Sequence, residues 1–542
     1  MNIGFVTREY PPDHGGGIAT YLGQLTRALA DAGHQVHVLT ICPGGDLDDG
    51  RLHVRRLPRR PEDLAAKGYG PTWFAAGQWF TEADLFAGAL RDFAAPLEVV
   101  EFCDLAAPGW MYLLHPERRI PVVVDCHTPI YVLREATGLA PLAGWQLELL
   151  QLCLAESVTS PSRAMAERLA EKIALPHGVN LLPHLFDAAG FCADYQPPPP
   201  DGPVLFVGRL EPLKGVSELL GAMRLVWKHH PHCELWLAGE DTPTAPDGGS
   251  MRAHLLAGLG DEEKTRLRFF GKLPHAELVD LYRRARLCAF FSRFDNFPNV
   301  ALEAMSCGRP AVVSEGTGHA EVMGQSALPV NPNDTEAAAE AIIALLESDE
   351  KAGRMGRAGF DRVRARFAPG GVVAEREAFY RQVIQRHRDV DLYQNAVSRV
   401  PPWLWETVSG DVAEALWLLH RNFDTPRQSG AEIARRLADL VGRYGGPGRY
   451  ALYGAGAHSE KLLPHRAVWE AAGIEVVRIF DDNADRIKQT LAGVEIAAGA
   501  LDNTADLDGV ILSSDTVENI LWEKTKPWRK AGVRVFRLHF TR

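Results

Sequence analysis

The chain has 542 residues, of which 46% are apolar and 23% charged, and its formal net charge is −11. This length exceeds what one hydrophobic core supports and predicts about three domains. The acidic balance argues against nucleic acid as a partner, because neutralising phosphates needs clustered Lys and Arg. The sequence has neither an apolar run of membrane-spanning length nor a signal-peptide pattern at "MNIGFVTREYPP", so we expect a cytoplasmic protein.

The cysteines and the basic residues narrow the partners further. None of the eight cysteines forms a CxxC pair, which predicts buried free thiols and neither disulfides nor a zinc site. One basic segment, residues 51–63, is interpreted as a solvated strand and loop. Contact of this segment with an anionic acceptor, or peripheral contact with a membrane surface, is left open.

The first predicted elements form a βαβ unit. A strand at Ile3 to Val6 precedes three glycines, a helix from Ile18 to Asp31 and the strand "QVHVLT". Such a unit favours a parallel sheet covered by helices. Similar alternation continues to about residue 195, so residues 1–195 are predicted to be the first domain. The proline run in "DYQPPPPDGP" is typical of an extended connector.

Two further α/β domains are predicted after this connector. Residues 202–370 contain strands at "VLFVG", "CELWLAG", "LRFFG", "LCAFFS" and "PAVVS". Residues 371–440 are interpreted as a helical crossover and linker, with a long closing helix in "GGVVAEREAFYRQVIQRH". A smaller Rossmann-like domain is predicted over 441–542. The expected fold class is therefore α/β, with two Rossmann-like domains facing a central cleft and a third, accessory one.

A basic turn follows the first strand of the second domain. In "VGRLEPLKG", Arg209 and Lys214 project from the carboxyl end of a strand, where ligands of open α/β sheets bind. Two cations five residues apart can straddle a pyrophosphate, the guanidinium with two hydrogen bonds and the ammonium as a point charge. A solvated turn is the alternative for this motif alone.

The stretch "SRFDNFPNVALEAM" places two carboxylates beside a predicted helix start. Pro298 is expected at the first helical position, so free N–H groups at residues 296–300 would face the cleft and suit a phosphate or sugar hydroxyls. Asp295 precedes the helix and can point at a ligand there. Glu303 lies in an apolar run, where either a ligand diol or a nearby cation such as Arg309 would satisfy its charge.

Taken together, these motifs resemble the donor site of the family 4 glycosyltransferases, which are retaining enzymes with the two-domain GT-B fold. The resemblance covers roughly residues 1–385. It includes "GGGIATYLGQLTRALADAGHQVHVLT", "VGRLEPLKGVSELLGAM", "FPNVALEAMSCGRPAVVS" and "NPNDTEAAAEAIIALL". A nucleoside-diphosphate sugar, linked to uridine or guanosine, is the donor that the resemblance implies.

The resemblance also assigns roles to individual residues. It implies that Arg209 and Lys214 clasp the donor diphosphate, that Glu303 holds the ribose hydroxyls and that Asp295 contacts the sugar. His127 matches the family's histidine near sugar and acceptor, and the chemistry is expected to run with retention and without a metal or other cofactor. The remaining donor-binding positions that it implies are Gly16, Gly17, Lys272, Leu273, Asn296, Phe297, Pro298, Asn299 and Val300.

The sequence departs from the family at one of these positions. The family pairs two glutamates eight residues apart, whereas Asp295 stands at the first position here. The shorter side chain shifts the charge by about one carbon–carbon bond, which leaves the identity of the donor sugar open. Glu321 matches the family's acidic residue in the later loop "SEGTGHAEVM", and His319 stands where a smaller residue is common.

The third domain carries a partial dinucleotide fingerprint. Gly454 and Gly456 follow a strand in "ALYGAGAHSEKLL", Ser459 stands in place of the third glycine, and Asp481 ends the next strand. An accessory nucleotide site and a degenerate scaffold for assembly or acceptor docking are both compatible with this pattern. Homo-oligomerisation through this domain is left open with them.

A sugar-nucleotide-dependent glycosyltransferase is the predicted function. The alternatives are an isomerase of the nucleotide-sugar 2-epimerase type, an NAD-linked oxidoreductase run by the third domain, and a non-catalytic nucleotide-sugar binding protein. The acceptor stays open among lipid-linked oligosaccharide, polysaccharide and small natural product.

Overall fold

The computed structural model covers the chain as two compact units, residues 1–404 and 405–542. It describes the chain except residues 13–15, 59–73, 94–95, 116–117, 141–144, 176, 389, 405–437, 439–446, 454–458, 460–462, 472, 482–486, 513–523, 532 and 538–542. The expected boundaries at residues 195 and 370 both fall inside the first unit, which contains two separate sheets.

The first sheet is parallel except at one edge. Its described strands run in the order β3-β4-β2-β1-β5-β6-β7-β8, and only β3 pairs antiparallel among them. The predicted βαβ unit is confirmed, since β1 and β2 pair in parallel through Ile3 and Val36. The strands are β1 Asn2–Thr7, β2 Gln35–Thr40, β3 Leu47–Asp49, β4 Leu52–Arg56, β5 Val99–Cys103, β6 Val122–Asp125, β7 Ser157–Ser160 and β8 Asn180–Leu181.

Helices connect these strands in the way a parallel sheet requires. The first begins at Gly17 and buries Tyr21, Leu22, Leu25 and Leu29, which recur at helical spacing, against the sheet. The helices are α1 Gly17–Asp31, α2 Phe74–Arg91, α3 Trp110–Leu113, α4 Ile130–Ala136, α5 Gln146–Leu154 and α6 Arg163–Lys172.

The second sheet is wholly parallel over its described strands, in the order β11-β10-β9-β12-β13-β14. Apolar clusters cover both faces, which explains its nearly continuous apolar strand sequences. The strands are β9 Val204–Val207, β10 Leu235–Ala238, β11 Leu267–Gly271, β12 Leu287–Phe290, β13 Ala311–Ser314 and β14 Ala327–Val330. The helices are α7 Val216–His229, α8 Met251–Ala257, α9 Asp261–Thr265, α10 His275–Arg284, α11 Asn299–Ser306, α12 Gly318–Met323, α13 Thr335–Leu346 and α14 Asp349–Arg366.

A long helix returns the chain from the second sheet to the first. This predicted closing helix, α15 Pro369–Arg386, buries Val372, Tyr380 and Val383 in the cluster that also holds Ile3 of β1. The next helix, α16 Leu392–Arg399, packs on α5, where the Arg399 guanidinium donates to the carbonyl oxygen of Leu154. The first domain is therefore completed by residues from both ends of the first unit.

The second unit has its own sheet, in the order β17-β18-β16-β15-β19-β20 over the described strands. Separate apolar clusters lie on its two faces. The strands are β15 Gly448–Tyr453, β16 Ile474–Asp481, β17 Thr490–Leu491, β18 Val494–Ala498, β19 Gly509–Leu512 and β20 Val535–Arg537, and the helices are α17 Ala467–Glu470 and α18 Lys526–Lys530. The fold class predicted from sequence, α/β with an extra Rossmann-like unit, is confirmed.

The expectations drawn from composition can also be compared with the structure. All eight cysteines are free and seven of them are buried, as predicted. Among the described helices, none has both the length and the apolar character needed to cross a lipid bilayer. In the basic segment, β4 alternates buried Leu52 and Val54 with more exposed neighbours, as expected of a solvated strand, and residues 59–63 lie outside the described part.

Candidate active site

The candidate site lies where the carboxyl ends of the two sheets of the first unit meet. Asn296, which follows β12, donates from Nδ2 to the carbonyl oxygen of Cys126 at 2.8 Å and to that of His127, and its Oδ1 accepts from the hydroxyl of Ser162. Asn296 is buried. The side chain that the resemblance assigns to donor binding therefore bridges the two domains in this structure.

A second contact closes the same cleft. The carboxylate of Glu321 on α12 accepts the backbone N–H groups of Arg163 at 2.7 Å and Ala164 at 2.6 Å, which are the first residues of α6. A carboxylate at the amino end of a helix is stabilised by its free N–H groups and its dipole. Glu321 and Asn296 together hold the domains in a closed arrangement.

Lys214 and Asp295 form an ion pair inside the cleft. The ammonium nitrogen lies 2.6 Å from Asp295 Oδ2, and the two side chains are 26% and 20% exposed. Burial acts to raise the pKa of Asp295, but Lys214 and His319 outweigh it and hold the pKa below its usual range. Asp295 is therefore ionised at neutral pH, and two sequence-predicted site residues are brought together.

The backbone on both sides of this ion pair is fixed by close glycine contacts. Gly215, directly after Lys214, has a φ of 65°, and an added Cβ there would lie 1.9 Å from the carbonyl oxygen of Phe291. Gly318 N donates to the carbonyl oxygen of Asp295 at 2.7 Å, and a Cβ on Gly318 would lie 1.7 Å from that of Asn296. Only glycine fits at these positions, so close backbone packing fixes the turn and the loop.

Arg209 lies apart from the ion pair. Its guanidinium contacts Glu211 on the same turn at 3.0 Å, and its side chain is 60% exposed. The cation predicted to share the diphosphate with Lys214 is thus at the end of β9, as expected from sequence, and is paired with a neighbouring carboxylate.

Helix α11 begins one residue later than its sequence predicts. Pro298 is the residue before the helix, with a ψ of 113°, and Asn299 is the first helical position, so the expectation for Pro298 is wrong. Pro298 keeps its predecessor extended and so sets the loop that carries Asp295. Across the cleft, a Cβ added to Gly17 would lie 3.9 Å from Asn299 Nδ2, and Gly16 precedes α1, so the glycine loop and the amino end of α11 face each other.

Glu303 is satisfied by a tyrosine that sequence reasoning missed. The Tyr282 hydroxyl on α10 donates to Glu303 Oε2 at 2.8 Å and to the carbonyl oxygen of Val300 at 3.3 Å. The alternative partner, Arg309, instead donates to backbone carbonyl groups, among them that of Ala285, so that expectation is wrong. Burial raises the pKa of Glu303, and the hydrogen bond from Tyr282 opposes the rise.

The remaining residues predicted to bind the donor include Phe297, Lys272 and Leu273. Phe297 packs 5.1 Å, between ring centroids, from His184 and 5.5 Å from Phe367. Lys272 follows β11 and is exposed, whereas Leu273 is half-buried against the core of the second domain. Their predicted contact with a nucleobase stays a prediction.

His127 follows β6 on the opposite wall of the cleft. Its backbone N–H donates to Asp104 Oδ1 at 2.9 Å, which fixes the loop, and its ring lies 5.5 Å from that of Tyr21 and 4.8 Å from that of His184. Burial lowers the pKa of His127 to about 3, although Asp125 opposes this. His127 is therefore neutral at physiological pH, and its buried Nε2 atom makes no hydrogen bond to any described residue.

Asp125, His127 and His184 form a buried cluster of metal-ligand types, with one ligand atom of each within 4.8 Å of the others. A cation is already present there, because Nη2 of Arg376 from α15 lies 3.5 Å from Asp125 Oδ2. The guanidinium supplies the positive charge that a metal would bring and would repel a second cation. The cluster does not fit a metal site.

Little in the sequence predicts this cluster. Asp125 stands two residues before His127 at the end of a fully apolar strand in "VVVDCHTP", and a carboxylate there requires a partner. Nothing in the sequence connects it with Arg376 or His184.

The structure does not describe Gly454 and Gly456 of the predicted accessory site, and Asp481 ends β16 as expected.

Comparison with known proteins defines first the class and then the family. Among solved structures, the chain is similar to sucrose-phosphate synthase from Thermosynechococcus elongatus, with a TM-score of 0.57 and 23% identity, over 71% of this chain and 100% of that one. A trehalose-6-phosphate protein from E. coli bound with UDP-2-fluoro glucose gives a TM-score of 0.54 and 15% identity, over 71% of this chain and 99% of that one. The first unit thus has the GT-B glycosyltransferase fold.

Sequence comparison identifies the family. Residues 15–188 match the family described as Glycosyltransferase Family 4, and residues 202–348 match the one described as Glycosyl transferases group 1. Similar curated proteins include glycogen synthase of Mycobacterium tuberculosis, 28% identical over 68% of this chain and 91% of that protein. D-inositol 3-phosphate glycosyltransferase of Thermobispora bispora is 28% identical over 70% of this chain and 93% of that protein. The chain belongs to the family 4 glycosyltransferases.

Proposed function

We propose that this glycosyltransferase moves a hexosyl group from a UDP- or GDP-linked sugar to an acceptor hydroxyl, with retention of configuration and without a metal ion. The observation that carries the proposal is the Lys214–Asp295 ion pair at the amino end of α11, facing the Gly17 loop across the cleft. It supports the proposal because a cation, a carboxylate and the amino end of a helix lie together at one side of the cleft.

The leaving group is the step that most needs stabilisation. Breaking the bond between sugar and phosphate puts negative charge on the diphosphate, and preorganised cations and N–H groups lower the free energy of that state. In this proposal Lys214 and the first N–H groups of α11 bind the diphosphate, and the exposed Arg209 leaves Glu211 to join them. These groups supply the charge that a metal ion provides in other enzymes.

The donor's ribose and sugar are assigned to the two carboxylates. Glu303 has one oxygen on the Tyr282 hydroxyl, and its other oxygen is available for a ribose hydroxyl. Asp295 is ionised and oriented by Lys214, so it can accept hydrogen bonds from sugar hydroxyls next to the reacting carbon. Retention would follow if the acceptor attacks on the face that the phosphate leaves and a phosphate oxygen takes the acceptor's proton.

The neutral state of His127 fits a role in hydrogen bonding to sugar or acceptor. A neutral imidazole donates from one nitrogen and accepts at the other, and it adds no positive charge beside the oxocarbenium-like sugar. Contact between the two domains over a bound donor would exclude water, which otherwise hydrolyses the donor. The same closure implies that the domains separate for the donor to enter.

A donor screen tests the proposal. Each of a panel of UDP- and GDP-sugars is added to the full chain, and the melting temperature is recorded, because a bound donor stabilises the fold by mass action. For each donor that binds, slow hydrolysis is followed by proton NMR in the presence of EDTA. The expected result is one donor that raises the melting temperature and releases a sugar with the anomeric configuration of the donor. Inversion, dependence on a metal or the absence of any binding donor would each contradict the proposal.

A further inference from the structure

An arginine from the closing helix lies at the base of the candidate site and contacts two buried acids. Arg376 Nη1 lies 2.7 Å from Glu101 Oε2 on β5, and Nη2 lies 3.5 Å from Asp125 Oδ2 on β6. The side chains of all three residues are at most 2% exposed. One guanidinium is therefore shared by two carboxyl groups without access to solvent.

The surroundings decide which acid keeps the negative charge. Burial raises the pKa of Glu101 to about 7, even though Arg376 and the hydroxyl of Tyr380, which donates at 2.7 Å, oppose the rise. Asp125 has the opposite balance, because Arg376 and His184 outweigh the effect of burial and hold its pKa well below the usual range. Asp125 is the member of the pair that stays ionised.

Asp125 in turn arranges the two histidines of the cleft. Its Oδ1 accepts from the hydroxyl of Thr159 at 2.6 Å, which fixes the plane of the carboxylate. Its Oδ2 lies 3.0 Å from His184 Nε2 and 3.6 Å from His127 Nε2. Because an ionised carboxylate only accepts hydrogen bonds, Nε2 of His184 must carry the proton. At 3.6 Å Nε2 of His127 is not hydrogen-bonded to the carboxylate, but the negative charge of Asp125 favours a proton on that nitrogen.

We infer that Arg376 and Asp125 are positioning residues for His127: the guanidinium holds the carboxylate in place, and the carboxylate directs the Nε2–H tautomer of the imidazole. In that tautomer Nδ1 of His127 carries the lone pair and is the acceptor for a hydroxyl of the sugar or the acceptor substrate. The buried Nε2 of His127, which has no hydrogen-bond partner in the described part of the chain, is then the atom that shortens its contact with Asp125 when substrate binds.

His184 connects Asp125 with Phe297 in the second domain. Its ring stacks on Tyr21 of α1 at 3.7 Å between centroids and lies 5.1 Å from Phe297, which belongs to the other domain. A ring whose Nε2 is tied to Asp125 presents a fixed surface to Phe297. The closing helix thus influences both walls of the cleft through the carboxylate of Asp125. This role rests on the proposed function in one respect, namely that His127 lies beside the reacting sugar.

The direct test is the tautomer of His127, read by long-range ¹H–¹⁵N correlation on histidine-labelled full chain, with His127→Gln used for assignment. The wild type should show a neutral Nε2–H ring. Asp125→Ala and Arg376→Met should give a mixture of tautomers at His127, and Arg376→Lys, which retains the charge, should keep most of the wild-type pattern. An unchanged Nε2–H ring in folded Asp125→Ala and Arg376→Met would overturn the inference.

Arg399 provides a matched control. It is a nearly buried arginine on the next helix, 3.3 Å from Glu156, and no histidine among the described residues pairs with that carboxylate. Arg399→Met should lower the melting temperature yet leave the His127 signals unchanged. If Arg399→Met alters the tautomer as much as Arg376→Met does, the effect is general loosening and the inference fails.

Kinetics on the donor found in the screen separates this inference from the proposed function. Arg376→Met should lower kcat about 10- to 100-fold while the KM of the donor changes less than about 3-fold, and Arg376→Lys should recover part of kcat. A wild type that binds no donor refutes the proposed function but leaves the tautomer result standing. An active wild type, with Arg376→Met unchanged in kcat, refutes the positioning role alone.

Discussion

Replacing Lys214 by alanine has two separable consequences. The ammonium lies 2.6 Å from Asp295 in a pair whose members are 26% and 20% exposed. A hydrogen bond to a charged group at such a site contributes about 1.5–3 kcal/mol, and its loss leaves a poorly solvated carboxylate. We therefore expect Lys214→Ala to lower the free energy of unfolding by about that amount.

Expressed as free energy, the loss in kcat should be larger than the loss in stability. Removing one preorganised group that stabilises developing charge typically lowers kcat by about 10²- to 10³-fold. Urea unfolding of the first unit and initial rates of donor turnover measure the two effects on the same preparation. Lys264→Ala is the matched control: this lysine contacts Asp261 at 3.4 Å on the surface of the same domain, and the loss should stay below about 1 kcal/mol with turnover unchanged.

The double variant Lys214→Ala, Asp295→Asn distinguishes the two roles. Without the carboxylate's charge no unpaired ion is left, so most of the lost stability should return while turnover stays low. Turnover of Lys214→Ala within about 10-fold of wild type would refute the assignment to the diphosphate. An equal loss of stability in the single and double variants would refute the ion-pair reasoning.

Three further variants test other parts of the site. Tyr282→Phe removes the hydroxyl that lies 2.8 Å from Glu303, so we expect the donor KM to rise about 5-fold with kcat unchanged, and an unaltered KM would contradict the ribose assignment. Glu321→Gln weakens the closing contact with α6, and small-angle scattering should report a larger radius of gyration, whereas an unchanged curve would refute the closing role. Burial lowers the pKa of His319 to about 4, so the unfolded chain binds a proton below pH 6.5 that the native chain does not. The free energy of unfolding of the wild type should therefore fall, relative to that of His319→Gln, by about 1.4 kcal/mol per pH unit from pH 6.5 towards 4. A difference between the two proteins that stays constant from pH 7 to 5.5 would refute the lowered pKa of His319.

Local pattern predicted the elements that build the cleft. Apolar runs such as "LCAFFS" and "PAVVS" between turn residues became β12 and β13, since strands buried on both faces need continuous apolar sequence. Arg209 and Lys214 were placed at a strand's carboxyl end because the rule for open α/β sheets depends only on strand direction. Pro298 was misplaced by one residue, since a proline satisfies both the residue before a helix and its first turn.

Contacts between distant segments could not be predicted in the same way. The sequence predicts either a ligand diol or a cation such as Arg309 as the partner of Glu303, and only the packing of α10 on α11 brings Tyr282 to it. Arg376 lies 275 positions from Glu101, and its contact requires the closing helix to return to the first sheet. An isolated arginine in an amphipathic helix carries no signal that distinguishes a buried partner from a solvated one.

The central claim is that this cleft binds a nucleoside diphosphate through Lys214 and the amino end of α11. Isothermal titration of UDP and GDP into the wild type and into Lys214→Ala, each at two salt concentrations, tests it most directly. The account predicts one site per chain for one of the two nucleotides, at least about 100-fold weaker binding to the variant, and a smaller salt dependence once the cation is gone. Equal affinity in wild type and variant, or no binding of either nucleotide to the wild type, would contradict it.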